Sequence, residues 1–186
     1  MLTIFREELT TVLLKVPALF DEYARGDISF VDHTIDWHTS VEAVMVRFRS
    51  QSASQVAVQR GRILAAKDGY QDPALLKEKT SSSKAVRFTA MACLTLSEAA
   101  ARLQVEAING QLDPLRLKMA QLISVASALK PIPYPPTEPH TTWLLQVWDG
   151  LLVNGDTRPM FNYLKTSLAL VDRLYLLDEL ISNTIS

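Results

Sequence analysis

Apolar residues recur along this chain at three- and four-residue steps, the spacing that lines one face of an α-helix. The first series runs Leu2, Phe5, Leu9, Leu13, Val16, Phe20 and Tyr23. Pro17 falls inside it and is expected to kink or split the helix, because proline has no amide to donate and clashes with the preceding turn. After Asp113-Pro114, Leu115, Met119, Leu122, Ala126 and Leu129 form another stripe, and Pro159 to Ser182 carries Phe161, Leu164, Leu168, Val171, Leu174 and Ile181. Between residues 84 and 109 two apolar faces share one helix. Phe88, Met91, Leu94, Ala101, Val105 and Ile108 make the first, and Ala92, Leu96, Ala99 and Leu103 the second. Only Thr95, Glu98, Arg102 and Glu106 are left as a solvated strip, so this segment reads as a central helix.

The stretch from Asp27 to Asp68 contains no proline and one glycine. Ile28, Val31, Ile35, Val41, Met45 and Phe48 keep helical steps, but Val44, Val46 and Phe48, then Val56 and Val58, also alternate as a β-hairpin would. The turn lacks an Asn-Gly or Asp-Gly pair, which favours a long helix bent near Ser50–Ser54. Helix boundaries are marked elsewhere. Gly26, Gly69 and Gly110 are placed to end helices. Asp72-Pro73 and Asp113-Pro114 join a capping carboxylate to a proline at the first helical position. Asp156 or Thr157, shortly before Pro159, marks a further start. The expected fold is therefore all-α, a bundle of five to seven helices with two or three long antiparallel members. The segment Pro131 to Pro139, rich in proline, forms an extended connector. It divides a single helical domain into a main bundle (1–130), a crossover (131–140) and a C-terminal helical pair (141–186).

Composition narrows the class. With 186 residues, 48% hydrophobic and 21% charged, the chain is long enough to bury a core without disulfides or metals. The formal net charge of −1 supplies no global attraction to polyanions. Cys93 is the only cysteine and sits in an apolar run, which fits a reducing compartment and a buried thiol. No run reaches the roughly 18 apolar residues of a membrane helix, and acidic residues follow closely on Met1. A cytoplasmic protein is expected.

Chemistry-bearing motifs are scarce. The sequence holds no glycine-rich phosphate loop, nucleophile elbow, HExxH or CxxC, and no cofactor is implied. Asp32-His33-Thr34-Ile35-Asp36-Trp37-His38 with Glu42 is the one dense cluster. On a helix His38 and Glu42 share a face, so a metal site would need a third ligand such as His140. Arg47, Arg49, Arg60, Arg62 and Lys67, followed by Lys77, Lys79, Lys84 and Arg87, could form one positive surface for nucleic acid or another polyanion if their segments pack together. The run Thr95 to Val105 resembles the first helix and turn of a helix-turn-helix, although the segment after it is short and carries no basic residue. Trp143, Trp148 and Tyr134 gather near the connector as an interface candidate.

With no catalytic constellation and surplus apolar face on most helices, the leading expectation is a non-enzymatic interaction module: an adaptor, scaffold or assembly subunit with a protein partner or a second copy of itself. A nucleic-acid-binding protein using the basic patch and a metal- or small-molecule-binding bundle are the alternatives.

Overall fold

The structure is a computed structural model that describes residues 1–75, 81–131, 140–152 and 155–185, and the side chains among these up to Ser182. The described residues are helical throughout their ordered elements and include no strand. The helices are α1 (Leu2–Leu13), α2 (Val16–Arg25), α3 (Phe30–Arg47), α4 (Ala53–Lys67), α5 (Ser82–Leu129), α6 (His140–Gly150), α7 (Arg158–Ser167) and α8 (Leu170–Ile185). α1 and α2 are the two halves of the first apolar series. They part where Pro17 withholds an amide from the Leu13 carbonyl. Counted as one interrupted helix, they give seven, and the all-α bundle class read from periodicity holds. No helix among the described residues is long and apolar enough to cross a membrane.

The chain resolves into two compact units, Phe5–Ala107 and Met1–Ile4 with Ile108–Ser186. In the first, Leu9, Val16, Phe30, Val41, Met45, Val56, Ile63, Ala90, Cys93 and Leu94 are fully enclosed. Three of its helices end in the same way. Gly26 takes a left-handed φ of 76°, with Asp27 N–H bonded to the Glu22 carbonyl and Gly26 N–H to that of Tyr23. This is the Schellman motif, which satisfies carbonyls a helix end leaves orphaned. Gly69, at φ 94°, closes α4 identically through Tyr70→Ala65 and Gly69→Ala66. α3 ends with the same pair of bonds, Ser50→Met45 at 2.9 Å and Arg49→Val46 at 3.0 Å, but the left-handed residue is Arg49, at φ 55°.

That ending settles the segment from Asp27 to Asp68. It is neither a β-hairpin nor one bent helix. The chain reverses at Phe48–Ser52 into an αα-hairpin, in which α3 and α4 pack against each other. Their ion pairs run antiparallel: Glu42 meets Arg60 at 3.0 Å near one end and Asp32 meets Lys67 at 2.6 Å near the other. Ser50 then ties the tip to α5 by donating to Gln104 Oε1 at 2.9 Å.

α5 gives residues up to Ala107 to this unit and residues from Ile108 to the other. The helix boundary expected at Gly110 and Asp113-Pro114 is not present: Pro114 lies inside α5. Leu112 and Leu115 flank it and are both buried, so the apolar stripe carries the helix across the missing hydrogen bond. The second unit packs α5 from Ile108 with α6, α7 and α8. Its core includes Leu112, Met119, Leu122, Trp143, Val147, Trp148, Leu164, Leu176 and Leu177. The segment read as one helix from Pro159 to Ser182 is two, interrupted where Leu168 is extended (φ −118°, ψ 138°). Three helices therefore follow the connector where periodicity indicated two. No proline or glycine marks the break. Thr3 at the chain start belongs to this unit and donates to Asp172 Oδ1 through its amide at 3.0 Å and its hydroxyl at 2.6 Å.

Candidate interaction groove

The structure disperses most of the residues that sequence patterns singled out. His38 is buried. Its Nδ1 donates to the Thr34 carbonyl at 2.8 Å, and its Nε2 lies 3.4 Å from the Cys93 carbonyl. Burial disfavours the charged imidazolium and holds the pKa below its ordinary value. Glu42 is paired with Arg60. His140 belongs to the other unit, where its Nε2 sits 2.9 Å from Asp178 Oδ1. Among the described residues no group of three or more His, Cys, Asp or Glu is arranged to hold a metal ion. Cys93 is enclosed, and burial pushes its thiol up to about 11; such a thiol is inert rather than nucleophilic.

Most of the described basic residues are spent on contacts within the fold. Arg47 pairs with Glu8, Arg60 with Glu42, Arg62 with Asp72 at 3.4 Å and Lys67 with Asp32. Arg87 donates to the carbonyls of Tyr23, at 2.9 Å, and Asp27, beyond the end of α2, and lies over the rings of Tyr23 and Phe30. It acts as a C-terminal cap. Arg49 and Lys84 are exposed. Lys77 and Lys79 lie outside the described residues, as does Tyr134. Trp143 and Trp148 are buried; Trp148 stacks on Phe161 with ring centroids 4.5 Å apart and is covered by Arg173. They hold the core of their unit together.

The helix-turn-helix resemblance does not survive. Thr95 to Val105 lies within α5 with no turn, because alanine and leucine, which that motif shares with any buried helix, propagate helix equally well.

What the structure adds is a groove between α4 and α5. Its α5 wall is Leu96, Ala99, Ala100, Leu103, Gln104 and Ala107, and the start of α4 supplies Ser52 and Gln55; the volume is about 390 Å³. An adjoining cleft is lined by Gln55, Val56, Gln59, Leu96, Ser97 and Ala100. No lining residue is charged. Leu96 and Leu103 are 49% and 65% exposed, against a floor of alanines that keeps the backbone of α5 within close reach. Ser97, at the inner edge, is 1% exposed and its Oγ has no hydrogen-bond partner. A buried hydroxyl left unmatched costs about 1–3 kcal/mol.

The sequence carried the signal for this groove in the second apolar face of residues 84–109. Of the first face, Leu94, Ala101 and Ile108 are buried, Met91 and Val105 are half-buried, and Phe88 is 46% exposed. A helix apolar on two sides reads as a central helix, whereas within this unit the side through Leu96, Ala99 and Leu103 is left exposed. The charged strip adjoins the exposed face, and within it Arg102 bonds to Glu98 at 2.7 Å. Set against protein-family models, curated proteins and solved structures, the chain matches none of them.

Proposed function

We propose that this chain is a non-enzymatic helical interaction module that binds a protein partner through the α4–α5 groove. The observation that carries this reading is the exposure of Leu96 and Leu103 above an uncharged, alanine-floored groove. Fully burying a leucine is worth about 1.5–3 kcal/mol, and the exposed parts of Leu96 and Leu103, one heptad apart, supply a share of that at the centre of a helix-in-groove contact. The inert thiol and the internally bonded His38 favour binding over catalysis as the role of this unit.

The test compares the intact protein with a Leu96→Glu/Leu103→Glu double variant in quantitative cross-linking and affinity capture. Both positions are solvent-exposed, so circular dichroism should report an unchanged helix content. Association with any protein, another copy included, is expected to fall by tenfold or more in the variant. If every association survives the double substitution, the groove is not the binding surface.

A further inference from the structure

We draw no further inference here: the strongest candidate, the uncharged groove between α4 and α5 with Leu96 and Leu103 exposed along it, is an apolar face of the site already described, and nothing in the structure shows what covers it.

Discussion

Trp37 donates its indole N–H to the backbone carbonyl of Val12 at 2.9 Å. The contact ties α3 to the interruption between α1 and α2. Val12 is in the last turn of α1, and its carbonyl also accepts from Lys15 N–H at 3.2 Å, so the indole is a second donor to it. A buried indole, 3% exposed, both fills the space beside that break and supplies a hydrogen bond. Trp37→Phe keeps much of the ring area but removes the donor, and should destabilise this unit by about 1–2 kcal/mol. Trp37→Ala adds a cavity and should cost about 3–5 kcal/mol. Urea unfolding followed by circular dichroism checks both. Equal losses in the two variants would mean that packing plays no part.

His38 makes stability depend on pH. The ring is enclosed between the Thr34 and Cys93 carbonyls, with Arg60 and Glu42 as its charged neighbours, and burial lowers its pKa from 6.5. The unfolded chain therefore takes up this proton more readily than the folded one. The resulting stability is complete above pH 6.5 and declines as pH falls below it, toward the folded value. His33 acts with the opposite sign. Its hydrogen bond to Glu22 raises its pKa, so its contribution is present below 6.5 and lost as pH rises through the folded value. In a His33→Gln background, thermal midpoints should fall between pH 7.5 and 5.5, and adding His38→Gln should flatten that slope. A slope that persists in the double variant assigns the titration elsewhere.

Arg49 occupies a position built for glycine. Its left-handed φ of 55° serves the same pair of bonds that Gly26 and Gly69 serve at the ends of α2 and α4. An L-residue there carries a strain of roughly 1–2 kcal/mol. Arg49→Gly relieves it but gives the unfolded chain more freedom, an offset of about 0.4–1 kcal/mol. The net expectation is stabilisation by about 0.5–1 kcal/mol. Arg49→Ala, which keeps the Cβ, should not share the gain. Paired denaturation curves decide, and an equal gain from both variants would point to the loss of the charge instead.

These residues also show why some of the fold was legible in the sequence and some was not. The ends of α2 and α4 were readable because glycine marks a left-handed cap. The end of α3 uses the same geometry without the marker, and a hairpin of two helices was read as one bent helix. At α7 and α8 the apolar stripe continues through an extended Leu168, and no breaker announces the interruption. Periodicity identified both faces of α5 but not which of them its neighbours cover, because that depends on packing partners distant in sequence. The His38 and Glu42 pair was correctly placed on one helix. Its chemistry was hidden because local spacing says nothing of the Thr34, Cys93 and Arg60 groups that occupy each side chain.

Pro114 tests the remaining disagreement, between a helix start at Asp113 and a continuous α5. Within the helix, Pro114 leaves the Gly110 carbonyl without its amide donor, and both residues are exposed, so water takes part of that role. Pro114→Ala restores the donor and removes a ring that crowds the preceding turn, a gain that approaches 3 kcal/mol in a buried helix. Solvent at Gly110 and the added freedom of the unfolded chain bring the expected stabilisation to about 1–2 kcal/mol. Asp113→Ala discriminates between the two geometries. A capping aspartate would lose about 1 kcal/mol on this change, whereas an interior aspartate replaced by the best helix former should gain about 0.5 kcal/mol. Both variants should therefore raise the melting temperature, and both should increase the helical signal near 222 nm or leave it unchanged. A loss of stability in both would place a helix start at Asp113 and divide α5 in two.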